Sequence, residues 1–181
     1  MITLGIVSDT HVPDRARKLH PNLLTIFREA RVTAILHAGD ICTDVVINQL
    51  SEIAPVHAVL GNRDIFYLPH LPRRISLTYE GVSICLVHGH GRWYDYLLDK
   101  FYWLLKGMQV ERYQQRVLRA SGNAQVVIFG HLHRPITTWV SGKYLFNPGS
   151  ACCPDATCPS PSVGLLHLEN GRLVSGEIIL L

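Results

Sequence analysis

The chain has 181 residues, 48% apolar and 17% charged, with 17 basic and 14 acidic side chains and a formal net charge of +3. An apolar fraction this high with so little net charge excludes global disorder. No run of about 18 uncharged apolar residues is present, which excludes a membrane-spanning helix, and so mild a charge argues against a nucleic-acid partner. The opening residues Met1-Ile2-Thr3-Leu4-Gly5-Ile6-Val7 lack a basic stretch and run straight to Asp9. No secretory signal is therefore expected, and the five cysteines read as reduced thiols of a cytoplasmic protein.

The elements follow in chain order. Residues 2–8 form a short apolar run, the mark of a strand buried on both faces, and 9–14 a loop. Pro21 suits the first turn of a helix that continues through Leu23, Leu24, Phe27 and Ala30. Residues 32–37 predict a second strand, ended by Gly39-Asp40. Thr43 is an N-cap candidate for a helix through Val46, Leu50 and Ile53. A third strand, 56–60, ends at Gly61-Asn62-Arg63-Asp64. Residues 74–79 and 82–87, joined by Glu80-Gly81, read as a hairpin. A helical segment at 92–121 follows, with Gly107 as its break. Strands are predicted at 125–129, 136–140, 143–146, 163–168 and 172–180. This order fits one domain over 1–181, α/β in class, with two packed sheets flanked by helices and a helical insertion at about 92–121.

Five polar clusters stand just after predicted strands: Asp9-Thr10-His11, Gly39-Asp40, Gly61-Asn62-Arg63-Asp64, His88-Gly89-His90 and Gly130-His131-Leu132-His133. Ligand sites of α/β folds gather at the carboxyl ends of strands. Singly, each cluster is an ordinary turn or loop. Together they bring seven oxygen and imidazole donors and no thiolate. That chemistry suits Mn, Fe, Zn, Ni or Co and exceeds what one ion uses.

In this order the motifs resemble the calcineurin-like metallophosphoesterase superfamily, and Asn147-Pro148-Gly149-Ser150 adds to the match. The short length without a capping domain is similar to the small prokaryotic phosphodiesterase branch. The resemblance implies a four-layer α/β/β/α sandwich and a site for two divalent transition-metal ions, Mn first among them. By position, Asp9, His11, Asp40 and His133 would hold one ion, and Asp40, Asn62, His88 and His131 the other. Asp40 would bridge, and a bridging hydroxide would attack a small phosphate-ester substrate, a diester in preference to a monoester. The other reading on this fold is a protein-interaction scaffold similar to the retromer scaffold subunit, which has lost ligand residues. A repair-type nuclease would call for a histidine donor after Asn62, a capping domain and a more basic surface.

Where many relatives have a histidine proton donor, this chain has Arg63, which cannot act as an acid near neutral pH. Arg63 would bind a phosphate oxygen or be solvated. His90 would supply the missing proton or be a bystander. Asp64 would orient a ligand or loop amide, or close an Asx turn. His37 is read as structural, and His20, His57, His70 and His167 as surface or core residues. Relatives often carry a basic residue after Asn-Pro-Gly-Ser; Ala151-Cys152-Cys153-Pro154-Asp155 stands here, and Cys152, Cys153 and Cys158 lack good zinc spacing. Within the helical segment, Leu97, Phe101, Leu104 and Met108 fall at helix spacing and predict an inward apolar face. Leftover aromatics, Trp93 and Trp103 among them, would then mark a homo-oligomer contact or a pocket wall.

Overall fold

A computed structural model describes residues 1–107, 109–152 and 160–181, with only the backbone for residues 93, 96, 100, 103, 104 and 106. The expectations placed on Met108, Cys153, Pro154, Asp155 and Cys158, and on the side chains of Trp93, Trp103 and Leu104, lie outside the described residues.

The first half alternates strand and helix: β1 (Ile2–Val7), α1 (Pro21–Glu29), β2 (Ala34–His37), α2 (Asp44–Ser51), β3 (Val56–Ala58) and a one-turn α3 (Asp64–Tyr67). The β4 (Arg74–Tyr79) and β5 (Val82–Val87) hairpin leads to α4 (Trp93–Lys106) and α5 (Val110–Ala120). The chain ends with β6 (Val126–Ile128), β7 (Pro135–Val140), β8 (Lys143–Pro148), β9 (Ser162–Glu169) and β10 (Arg172–Leu180).

Local chemistry explains most boundaries. Pro21 opens α1, where its missing N–H costs nothing. Leu23 and Phe27, four apart, bury one face of that helix. The Thr43 hydroxyl accepts the Val45 N–H at 3.3 Å and caps α2. Three hairpins turn on Glu80-Gly81, Ser141-Gly142 and Asn170-Gly171, both residues of each pair having positive φ. That backbone matches the twist of antiparallel strands.

The strands form two five-stranded mixed sheets, in the orders β10-β9-β1-β2-β3 and β4-β5-β6-β8-β7. In the first, β1, β2 and β3 run parallel; in the second, β5, β6 and β8 do. Leu23 and Phe27 of α1 and Val46 and Leu50 of α2 pack outside the first sheet. Leu4, Ile6, Ile84, Ile128, Phe146 and Leu166 fill the space between the sheets. Val117 of α5 packs with Cys85, Val127 and Phe129 outside the second sheet. The result is the α/β/β/α sandwich, with the ends of the parallel strands sharing one rim.

One expectation is corrected. Leu97 and Phe101 do not face inward: they are 54% and 58% exposed, with Leu98 and Leu105 also outside. The face of α4 turned to α5 carries Asp99, which is buried and meets the Arg116 guanidinium at 2.7 Å. Arg112 lies over the Tyr102 ring at 4.1 Å. An ion pair and a cation–π contact on one face leave the aliphatic face to the outside.

Candidate metal centre

The loops after the parallel strands are tied together before any side chain is considered. The Asp9 N–H donates to the Gly39 carbonyl at 2.9 Å, and the His11 N–H to that of Asp40 at 3.0 Å. Across the rim, the Gly130 N–H donates to the His88 carbonyl at 3.1 Å. The two sheets are joined by the His131 N–H, which donates to Asp9 Oδ2 at 3.0 Å. Asp9, His11, Asp40, His131 and His133 all have φ between 48° and 71°. Left-handed backbone is uncommon outside glycine and gathers at functional sites. Gly61 is required for room: a Cβ there would overlap the Asp40 carboxylate and backbone nitrogen.

All seven donors expected from the sequence converge on this rim. His11 Nε2 and His133 Nε2 are 3.2 Å apart. Asp9 Oδ1 lies 3.3 Å from His133 Nε2 and 3.8 Å from His11 Nε2. Asp40 faces both halves of the cluster: its Oδ2 is 3.7 Å from His11 Nε2, and its Oδ1 is 3.6 Å from His88 Nε2. Asn62 Oδ1 is 3.2 Å from His88 Nε2. The His131 ring stands 5.1 Å from that of His88. Ligand atoms within 4.8 Å of one another occur in Asp9, His11 and His133, and again in Asp9, Asp40 and His88.

These residues fit metal ions by their own hydrogen bonding. The buried His88 Nδ1 donates to the Ala38 carbonyl at 2.7 Å, so Nε2 is the ring nitrogen turned toward Asp40 and Asn62. Asp9 Oδ2 accepts from Ser8 Oγ and the His131 N–H, whereas buried Asp9 Oδ1 has no hydrogen-bond partner among the described residues. An orphaned carboxylate oxygen among imidazole nitrogens calls for a cation.

The electrostatics agree. Burial pushes the Asp9 carboxyl up, but His133, His88 and His11 outweigh it and hold the group below the ordinary carboxylate range. Burial raises Asp40 to about 6, against the pull of His88 and with added repulsion from Asp9. Burial lowers His11 to about 4 and His131 well below the usual imidazole range. Neutral imidazoles are the form that donates to a metal.

Around the donors, Asp64 holds the loops. Its Oδ1 accepts the N–H groups of Ile41 and Cys42, and its Oδ2 those of Asp40 and Gly61, all at 2.8 Å. The Gly61 contact is the local turn that Gly-Asn-x-Asp suggests; the other three reach the loop after β2. The Arg63 N–H donates to Asp40 Oδ1 at 2.8 Å, while its guanidinium lies 43% exposed beside Asp14 at 3.6 Å. His90 is 7% exposed, and neither ring nitrogen has a hydrogen-bond partner among the described residues. Burial, His88, Arg73 and Arg116 push it down to about 3. His37 is structural: its Nδ1 accepts the Gly39 N–H and its Nε2 donates to Thr10 Oγ1.

Sequence reasoning missed three supports. Ser8 bonds Asp9 from the preceding position. Ser150 Oγ donates to the Asp9 carbonyl at 2.8 Å, and Asn147 Nδ2 to that of Gly130 at 2.8 Å. The Asn147-Pro148-Gly149-Ser150 motif was the available signal, and its work is to brace the loops after β1 and β6. Tyr113, one of the aromatics of the helical segment, has its ring 5.6 Å from that of His131.

The calcineurin-like phosphoesterase superfamily domain matches residues 2–171. A probable metallophosphoesterase of Methanothermobacter thermautotrophicus is 34% identical over 97% of this chain and 91% of its own length. A phosphodiesterase of Methanocaldococcus jannaschii is 26% identical over 92% of this chain and 93% of its own. Among solved structures, Vps29 of Entamoeba histolytica in complex with zinc superposes with a TM-score of 0.68 at 22% identity, over 99% of this chain and 98% of that one, and shares the fold. With that match over nearly the whole chain, on a fold whose rim gathers the expected donors, the protein belongs to the calcineurin-like phosphoesterase superfamily.

Proposed function

We propose that the chain is a metal-dependent phosphodiesterase with a two-ion centre. Asp9, His11, Asp40 and His133 would hold one ion, and Asp40, Asn62, His88 and His131 the other. The observation that carries this reading is Asp40, whose two carboxylate oxygens face His11 and His88 separately. Two divalent ions, with Mn the first candidate, supply activation of a water and neutralisation of phosphoryl charge.

The chain's own residues set the rest. The Arg63 N–H and the four N–H groups gathered by Asp64 fix the loops that carry Asp40 and Asn62. Asn62 offers a neutral oxygen where a third carboxylate would cancel more of the positive charge. A site left mildly positive matches a diester monoanion better than a monoester dianion. Water adds to phosphorus, the bond to the leaving oxygen breaks, and that oxygen must find a proton. The arginine cannot give one, and the surroundings of His90 disfavour its charged form. The presence of all seven donors on one rim supports catalysis over the scaffold reading.

The direct test is metal analysis together with turnover. Protein reconstituted with Mn²⁺ should approach two equivalents and hydrolyse a chromogenic phosphodiester only when loaded. Saturation at one equivalent would sink the two-ion centre, and loaded protein without turnover would sink the enzyme.

A leaving-group series adds a second expected result. Aryl esters should be cleaved far faster than alkyl esters, because general-acid help is worth about 10²–10⁴ in rate and falls mostly on poor leaving groups. The dependence should be steep in the wild type and flatten in Arg63→His. A flat dependence in the wild type that steepens in His90→Ala would instead give the acid role to His90.

A further inference from the structure

Beside the centre lies a cavity of about 200 Å³ whose lining includes Arg73, Arg74, His88, His90, Arg116 and Val117. His88 is common to both places: its Nε2 faces Asp40 and Asn62, and it also forms part of this cavity's wall. The His90 ring sits 5.3 Å from that of His88. More than nine-tenths buried, it has both ring nitrogens unpartnered among the described residues.

The charge in the cavity is one-sided. Arg116 is answered by Asp99 at 2.7 Å and also donates to the Gly89 carbonyl at 3.2 Å. Arg73 and Arg74, both exposed at the head of β4, have no carboxylate partner among the described residues; Arg74 meets the neutral Ser76 hydroxyl and the Cys85 thiol. A concave site with unanswered guanidinium groups and a buried, unused imidazole is built for an anion with several acceptor oxygens.

We infer that this cavity receives a second, non-scissile phosphate of the substrate, so that the preferred diester carries an additional phosphate group. This rests on the phosphodiesterase reading above, because it places the reacting phosphate at the neighbouring donors. Arg73 and Arg74 grip the distal phosphate, and His90 supplies a ring N–H from below. The leaving group and the nucleophile are untouched by this contact, so the gain appears mainly as tighter binding.

The test uses the full chain and two readouts. The first compares a nitrophenyl ester of a nucleoside monophosphate with the same ester carrying a second phosphate on its sugar. The Mn²⁺-loaded wild type should favour the second ester in kcat/KM by about tenfold or more, chiefly through KM. In Arg73→Ala/Arg74→Ala that preference should shrink to near unity. The second readout needs no turnover: inorganic phosphate titrated into metal-free protein should shift the His90 ring resonances, and the double variant should lose that response. Equal kcat/KM for both esters in the wild type would overturn the inference, as would a preference unchanged in the double variant. Phosphate that moves His90 with no ester preference would mean a free-anion site and would overturn the substrate assignment. If neither ester turns over while phosphate still moves His90, the phosphodiesterase reading fails and the anion cavity stands.

Discussion

Asp40→Asn should lower kcat/KM on a chromogenic diester by about a thousandfold, several kcal/mol of transition-state charge stabilisation. Asn62→Ala should cost less, about 10–100-fold, because it removes one neutral ligand from one ion only. The difference follows from the two oxygens of Asp40, one toward His11 at 3.7 Å and one toward His88 at 3.6 Å, against the single oxygen that Asn62 brings to His88. The asparagine variant keeps an Oδ1 to accept the Arg63 N–H, so the loop after β3 should hold and the loss should be chemical. Circular dichroism of the metal-free protein should therefore match the wild type. Equal losses in the two variants, or a larger one at Asn62, would show that Asp40 does not serve both halves of the centre.

Asp64→Asn should damage the protein severely despite being nearly isosteric, and Asp64→Ala at least as much. Each Asp64 oxygen accepts two backbone N–H groups: Ile41 and Cys42 on one side, Asp40 and Gly61 on the other. An amide has only one acceptor oxygen, so its NH₂ would point at two further donors. Leaving buried N–H groups unpaired costs about 1–3 kcal/mol each. Either variant should therefore lose roughly 3 kcal/mol or more, a drop of about 8 °C in melting temperature for a chain of this size. Thermal melts of the metal-free proteins measure this without reference to catalysis. An asparagine variant within a degree or two of the wild type would mean that Asp64 is a local turn residue alone.

The order of strands and helices was legible in the sequence because each element writes its own period. The apolar run 2–8, Pro21, Thr43 and the Glu80-Gly81 turn needed no partner to be recognised, since propensity, capping and turn chemistry are local. The seven donors were legible for a related reason: each stands directly after a strand, where a rigid scaffold exposes its loops. The superfamily resemblance then supplied their grouping, which no spacing of residues 9, 40, 62, 88 and 131 could.

Tertiary structure decided the rest through contacts between distant residues. The one-turn α3 was hidden inside a turn signal, because four residues are too few to show a period. The face of α4 was misjudged because apolar spacing marks a stripe without saying what covers it; Asp99 meeting Arg116 of α5 turned that stripe outward. The left-handed backbone at Asp9, His11, Asp40, His131 and His133 is invisible locally, since the cross-loop hydrogen bonds impose it. The arginine cavity joins residues 73 and 74 of one sheet edge to residue 116 of an outer helix, and only packing of the second sheet against α5 brings those charges to one histidine.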